Sequence, residues 1–167
     1  MSAPPVVVLT GVSGAGKSTV GRALADALGA ELIDADDHHP PANVARMAAG
    51  QPLRDADREP WIDGLVAELR RRRDDEPPAV LACSALRRSH RERLASAVAG
   101  TVVVHLHVDP GHLAERLGAR EGHFMPATLL QSQLDALDPP DPTEAVIVDG
   151  SAPVAEVVAE VRARLGC

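Results

Sequence analysis

Aromatic residues are nearly absent from this chain: its 167 residues include one Trp, one Phe and no Tyr, which is 1% of the total. A surface that stacks nucleic-acid bases needs several aromatic side chains, so the composition excludes that kind of binding platform. Positively charged residues are fewer than negatively charged ones: the chain has 17 Lys and Arg and 24 Asp and Glu, which gives a formal net charge of −7. A general nucleic-acid binder needs an extended basic face, so we expect no nucleic-acid partner. A small anionic substrate stays possible, since a few local arginines can override the overall charge.

Cysteine pairs and long apolar runs are missing too. The two cysteines, Cys83 and Cys167, lie far apart in the sequence, and this count and spacing argue against a disulfide or metal framework. No apolar run reaches the roughly 18 residues that a membrane-spanning helix needs. The segment MSAPPVVVLTGVSG shows neither the basic start nor the cleavage pattern of a signal peptide. We therefore expect a cytoplasmic protein with reduced thiols and no membrane partner.

With 45% hydrophobic and 25% charged residues, the chain has the composition of an ordinary globular protein. Short β-branched runs alternate with helical patterns and predict five strands, over residues 6–10, 31–34, 79–83, 101–108 and 145–149. The helical patterns cover residues 17–28, 42–49, 57–73, 87–97, 110–120, 127–137 and 154–165. This alternation is typical of βαβ units. We expect residues 1–167 to form a single three-layer α/β/α domain around a five-stranded parallel sheet.

The segment GVSGAGKS, from Gly11 to Ser18, matches the phosphate-loop pattern G-x-x-x-x-G-K-[ST] at every fixed position. It follows a predicted strand and begins a predicted helix, where backbone N–H groups and the helix dipole bind a polyphosphate. Lys17 is predicted to reach the β- and γ-phosphates, and the Ser18 hydroxyl to bind Mg²⁺. The nucleotide contacts expected in the loop are Gly11, Ser13, Gly14, Ala15, Gly16, Lys17 and Ser18.

Several classes of nucleotide-binding protein share this loop. A GTPase needs an Asn-Lys-x-Asp segment, and the only Asn of the chain, Asn43, stands in PANVA. A large motor ATPase needs more than 167 residues. Small phosphotransferases and nucleotide-gated binding modules remain.

Three carboxylates occur in the segment DADDHHP, residues 34–40, which follows the second predicted strand. Ligands of a parallel sheet bind beyond the carboxyl ends of its strands, so these carboxylates should lie near the phosphate loop. A carboxylate there can orient an attacking hydroxyl group or help to hold Mg²⁺ through water. The alternative is a turn in which Asp caps the next helix. Taken alone, this segment leaves both interpretations open.

Three further segments are informative beside the phosphate loop and the DADDHHP segment. They are GQPLRDADREPW at 50–61, ACSALRRSHR at 82–91 and GHFMPATLLQSQ at 122–133. With all five, the chain closely resembles the small gluconokinases, which belong with shikimate and nucleoside-monophosphate kinases among the P-loop kinases. The resemblance runs from Val6 to about Val148. It implies a P-loop kinase fold with a short lid, and ATP and Mg²⁺ as cofactors. It also implies phosphorylation of D-gluconate at the 6-hydroxyl group, giving 6-phospho-D-gluconate and ADP, and suggests a homodimer.

The resemblance also implies roles for individual residues. It makes Lys17, Asp36 and Arg120 catalytic, with Asp36 orienting the 6-hydroxyl group. Beyond the phosphate loop, the nucleotide contacts it implies are Thr19, Arg116 and Arg120, although the position of Thr19 alone favours a packing role on the helix. The acceptor contacts it implies are Asp36, His39, Arg58, Ser84, Arg87, Arg91 and His123.

Two pairs of arginines at a spacing of four residues support these assignments. Arg87 and Arg91 would share one face of a helix and converge on the acceptor. The alternative is a solvated helix surface with local ion pairs. Arg116 and Arg120 would converge on the phosphates from a lid over about 116–127. The alternative is that they complement the negative end of a helix.

The chain departs from the gluconokinase pattern at a few positions. Arg54 stands where the family usually has a small polar residue, and adds bulk and charge beside the presumed acceptor pocket. Arg87, His90 and Leu134 replace a Lys, a Tyr and an aromatic residue. These departures leave open a kinase for another acceptor, such as shikimate or a nucleoside monophosphate. A non-catalytic nucleotide-sensing module is the alternative from a different class.

Overall fold

In the computed structural model, which describes residues 2–118 and 129–167, five strands alternate with seven α-helices and one short 3₁₀ helix. The strands are β1 Val6–Thr10, β2 Glu31–Asp34, β3 Ala79–Ala82, β4 Val102–His107 and β5 Val146–Asp149. The α-helices are α1 Lys17–Leu28, α2 Pro41–Ala48, α3 Asp55–Arg70, α4 Arg88–Ala95, α5 Pro110–Gly118, α6 Leu130–Ala136 and α7 Val154–Leu165. The 3₁₀ helix spans Ala35–His38 and follows β2 directly. None of the helices in the described part of the chain is long and apolar enough to cross a membrane.

The five strands form one sheet in the order β2-β3-β1-β4-β5, and every pairing is parallel. The predicted five-stranded parallel sheet is therefore confirmed. The chain first builds the β2–β3 side of the central strand β1 and then crosses to build the β4–β5 side. At this change of direction, the connections that leave neighbouring strands run to opposite sides of the sheet. They leave a crevice between them at the carboxyl ends of the strands. The phosphate loop, which follows β1, lies at that crevice.

Helices cover both faces of the sheet, which confirms the three layers. Alternate side chains of a strand point to opposite faces. Val7 and Leu9 of β1 belong to the core cluster that includes residues of α1 and α7. Val6 and Val8 belong to the cluster that includes residues of α3 and α4. Because both faces are covered, all five residues of β1 are buried, as its unbroken apolar run requires.

Helix α3 begins two residues earlier than predicted because Arg54 and Asp57 cap it. The backbone N–H of Arg54 donates to Asp57 Oδ2 at 2.9 Å. The Arg54 guanidinium also donates to both oxygens of that carboxylate, at 3.1 and 3.0 Å. These bonds from Arg54 hold the pKa of Asp57 down at about 2. The Arg54 side chain is 71% exposed, so the structure uses this departure from the family pattern as a helix cap on the surface.

Candidate active site

The described residues enclose a cavity between the phosphate loop, the 3₁₀ helix, α3 and α6. Many residues predicted from the sequence line it together: Ser13, Gly14, Gly16, Lys17, Ser18, Asp36, His39, Arg58 and Ser84. They come from four separate stretches of the chain, and the carboxyl edge of the parallel sheet brings them to one place.

Glycines give the phosphate loop its shape. Gly14 and Gly16 have φ angles of 86° and 93°, which L side chains rarely adopt. A Cβ on Gly11 would lie 3.0 Å from the Cβ of Ala15, and Ala15 is fully buried beneath the loop. These two residues can therefore meet a nucleotide only through their backbone. Lys17 begins α1, and its Nζ donates to the Val12 carbonyl at 3.0 Å, which keeps the ammonium group over the loop.

A carboxylate that the sequence analysis did not assign lies against Ser18. The Ser18 hydroxyl donates to Asp34 Oδ2 at 3.2 Å, and Asp34 Oδ1 accepts the backbone N–H of Asp36 at 3.0 Å. Asp34 thus caps the 3₁₀ helix and contacts the predicted Mg²⁺ ligand at once. The capping interpretation of the DADDHHP segment is confirmed for Asp34, whereas Asp36 lines the cavity and its role toward an acceptor stays a prediction. The position of Asp34 at the end of a strand is the signal that could have identified it.

Trp61 and His39 form the far wall of the cavity. Their rings stack with centroids 4.0 Å apart and planes 17° from parallel. The Trp61 indole donates to the Ala35 carbonyl at 2.8 Å, so the tryptophan packs in the core while one edge lines the cavity. Burial, together with the nearby Arg58 cation, lowers the pKa of His39 to about 4. His39 is therefore a neutral hydrogen-bonding group near pH 7.

Arg58 brings a buried cation to the same cavity. It is 7% exposed, and among the described residues its hydrogen bond is to Asp55 Oδ1, at 3.2 Å. Burial lowers the pKa of the Arg58 guanidinium, which nevertheless stays charged at any physiological pH. Asp55 also accepts two bonds from Arg87, at 3.1 and 3.2 Å. Arg87 lies outside the cavity lining formed by the described residues, and reaches the site through the carboxylate that it shares with Arg58.

The expectation that Arg91 faces the acceptor is wrong. Arg91 is 1% exposed, and its side chain forms an ion pair with Glu144 at 2.5 Å. Its other donors bond to the carbonyl oxygens of Ala85, Leu86 and Asp138, so that all five N–H groups are used inside the protein. The spacing rule failed because Arg87 is the extended N-cap of α4, with φ −85° and ψ 140°, and the two arginines share no helix face.

On the other side of the phosphate loop, Arg116 bridges two loops. Its guanidinium donates to the Gly14 carbonyl at 3.0 Å and to the Gly150 carbonyl at 2.9 Å. A second cavity at this place is lined by Arg116, Thr19 and the loop glycines, among other residues. Arg116 thus contacts the phosphate loop, and its role at the phosphates stays a prediction. Arg120, His123 and most of the predicted lid lie outside the described residues.

Gln133, on α6, is a further residue without an assigned role in the sequence analysis. Its Oε1 accepts the backbone N–H of Ser13 at 2.7 Å, and both residues are 8% exposed. An unpaired N–H at this depth would be costly, so the side chain helps to hold the loop in place. Gln133 is the last residue of the segment GHFMPATLLQSQ. Its place in that segment is a signal in the sequence, but the sequence does not indicate its contact with Ser13.

Comparisons with known proteins show what this chain is similar to in sequence and in fold. A model of the AAA domain family matches residues 6–140. A gluconokinase of Gluconobacter oxydans (strain 621H) is 49% identical over 144 residues, which cover 86% of this chain and 81% of that protein. The crystal structure of a gluconokinase from Sinorhizobium meliloti 1021 is 44% identical and matches with a TM-score of 0.87, over 99% of this chain and 94% of that one. A shikimate kinase from Acinetobacter baumannii matches with a TM-score of 0.65 over 98% of this chain and 94% of that one, but at 23% identity this likeness concerns the fold alone.

Proposed function

The chain belongs to the AAA domain family and to the gluconokinases, and we propose on this basis that it transfers the γ-phosphoryl group of ATP to the 6-hydroxyl group of D-gluconate. The products are 6-phospho-D-gluconate and ADP. One observation carries the proposal: Lys17 and Ser18 of the phosphate loop share a cavity with Asp36 and Arg58. A polyphosphate-binding loop thus faces a carboxylate and a buried cation.

The acceptor side of the cavity suits a linear sugar acid. Gluconate carries a carboxylate at one end and the reactive hydroxyl group at the other, so its site needs a cation and a base at a distance from each other. Arg58 binds the carboxylate, and its burial strengthens this charge interaction. The neutral His39 and the Ser84 hydroxyl form hydrogen bonds with the hydroxyl groups between. Arg87 acts from outside the cavity by holding Asp55, the carboxylate that positions Arg58.

The transfer itself is an in-line displacement in which the chain positions groups and neutralises charge. The 6-oxygen forms a bond to the γ-phosphorus while the bond from that phosphorus to the β–γ bridging oxygen breaks. Asp36 orients the 6-hydroxyl group and takes up its proton. Lys17 stabilises the negative charge on the β- and γ-phosphates.

The residues around Ser18 fit a magnesium ion. The Ser18 hydroxyl and the Asp34 carboxylate are oxygen donors 3.2 Å apart, and Mg²⁺ prefers oxygen ligands and keeps several waters. Ser18 would hold the ion, and Asp34 would help to hold it. When bound, Mg²⁺ supplies positive charge at the β- and γ-phosphates.

The nucleotide side rests on the second cavity. Thr19 and Arg116 line it next to the phosphate loop, and this space suits the nucleoside part of ATP. Arg116 and Arg120 neutralise the phosphates from the lid over about 116–127, and His123 contacts the acceptor. These lid assignments, the single domain over 1–167, the homodimer and the cytoplasmic location stay predictions.

A coupled assay of ADP release with Mg·ATP tests the proposal. Gluconate, shikimate, other sugar acids and nucleoside monophosphates are supplied in turn, and turnover with gluconate should far exceed the rest. The variant K17M, checked for folding by circular dichroism, should nearly abolish turnover. Preference for another acceptor would keep the kinase and contradict gluconate as its substrate. Clear ATP binding without turnover for any acceptor would favour a nucleotide-sensing module.

A further inference from the structure

A strained turn connects β3 to the acceptor cavity. Among the described residues, Ala85 is the one non-glycine residue with a positive φ, at 37°. An L-residue is disfavoured there because its Cβ approaches the following carbonyl oxygen. The neighbours of Ala85 on both sides, Ser84 and Leu86, line the cavity. The conformation of this one residue therefore decides how the turn faces the acceptor.

The guanidinium of Arg91 donates hydrogen bonds to this turn. Its Nη1 donates to the Ala85 carbonyl at 3.1 Å and to the Leu86 carbonyl at 2.9 Å. Glu144 fixes the guanidinium in turn, since it accepts from Nε at 2.5 Å and from Nη2 at 3.3 Å. The planar guanidinium suits this task, because it presents its donors in a rigid fork that an ammonium group lacks.

A second connection locks the same turn. The Leu86 carbonyl also accepts the backbone N–H of Asp138 at 2.9 Å, and Arg91 Nη2 donates to the Asp138 carbonyl at 2.7 Å. Arg91 thus lies at the centre of a buried network that joins the turn, the segment after α6 and Glu144. A strained backbone conformation persists only where surrounding contacts hold it in place. Residues with such conformations are concentrated at functional sites.

We propose that Arg91 is a positioning residue of the acceptor site, which keeps Ala85 in its left-handed conformation and thereby directs Ser84 toward the acceptor. This inference rests on the proposed function, because it concerns the same site. Arg91 touches no substrate in this scheme. Its contribution reaches the acceptor through the Ser84 turn alone, while the phosphate loop is unaffected.

The variant R91K tests this role, because lysine keeps the charge beside Glu144 but loses the fork. We expect the KM for gluconate to rise about three- to tenfold, the range of one lost hydrogen bond to the acceptor. The KM for ATP should change by less than about twofold. A merely structural role would lower the fraction of active protein and hence kcat, with both KM values unchanged. That result would overturn the proposal.

A double-mutant cycle with S84A identifies the route of the effect. If Arg91 acts through Ser84, R91K should add little to the KM for gluconate in the S84A background. Two effects that simply multiply would contradict the proposal. The matched control is R88K on the same helix, since the Arg88 side chain is 57% exposed and forms its ion pair with Glu92. R88K should leave both KM values at the wild-type level.

If R91K does not fold, R91M/E144M replaces it in the same cycle. This double variant removes both members of the buried ion pair, an exchange that is often neutral for stability, and still removes the bonds to the turn. Turnover of gluconate by the wild-type protein tests the proposed function separately from the role of Arg91. Gluconate turnover with unchanged KM values in the variants defeats the role of Arg91 alone, whereas no turnover with any acceptor defeats both.

Discussion

Replacement of Trp61 by Phe should weaken both the fold and the catalytic step. The indole Nε1 donates to the Ala35 carbonyl at 2.8 Å, and Trp61 and Ala35 are 2% and 0% exposed. Ala35 directly precedes Asp36, the proposed base, in the 3₁₀ helix. Phenylalanine keeps an aromatic ring against His39 but removes the donor, so a buried carbonyl loses its partner beside the residue that acts on the acceptor.

The size of the effect follows from the buried hydrogen bond. An unsatisfied polar group at this depth costs about 1–3 kcal/mol of the free energy of unfolding. For a chain of this length, each kcal/mol corresponds to roughly 2–4 °C, so the melting temperature should fall by about 2–12 °C. The kcat should also fall, because the segment that holds Asp36 is loosened. The KM for ATP should stay near the wild-type value, since the contacts of the phosphate loop are untouched.

Urea denaturation followed by circular dichroism measures the stability, because W61F removes the only tryptophan of the chain and with it the fluorescence signal. The matched control is I62V, on the same helix and in the same core cluster, where the side chain is apolar. I62V should cost about 0.5–1.5 kcal/mol and leave kcat unchanged. A W61F protein as stable as the wild type and with the wild-type kcat would refute the reasoning.

Three other predictions follow from the site and its surroundings. D36N should cut kcat far more than it weakens ATP binding, as measured by steady-state kinetics and equilibrium titration, and a wild-type kcat would mean that another group takes the proton. Burial lowers the pKa of His39 and of His105 to about 4, from 6.5. The unfolded chain therefore binds more protons between pH 6.5 and 4, so the free energy of unfolding should fall as the pH drops through this window. Urea midpoints at pH 7 and pH 5 measure this fall, and equal midpoints would contradict it. R54A should lower the melting temperature slightly, because the two guanidinium bonds to Asp57 are lost and alanine is a poor N-cap residue, while kcat/KM for gluconate stays unchanged; a changed acceptor preference would place Arg54 in the site after all.

The fold was largely predictable because each part of it depends on local patterns. The apolar run Val6–Thr10 needs cover on both faces, which only a central strand has, and the structure places it at the centre of the sheet. Element ends were less predictable. Helix α3 begins at Asp55 because Arg54 and Asp57 bond to each other, and that reciprocal cap departs from the usual capping residues.

The phosphate-loop part of the site was predictable for the same reason. Its loop, lysine and serine are consecutive in the chain, so one short segment contains the whole arrangement. The roles of Asp34 and Gln133 depend instead on partners 16 and 120 residues away, Ser18 and Ser13. No rule based on residue spacing predicts those two contacts.

Sequence alone determined the architecture and the nucleotide loop, because periodicity and short motifs act over a few residues. Only the tertiary structure decided which arginine faces the cavity. Arg58 and Arg91 carry the same guanidinium, yet Arg58 lines the cavity while Arg91 is enclosed by Glu144 and three carbonyl oxygens. A buried charge must satisfy its donors with whatever the fold brings near. Those partners come from distant segments, and they meet only once the chain is folded.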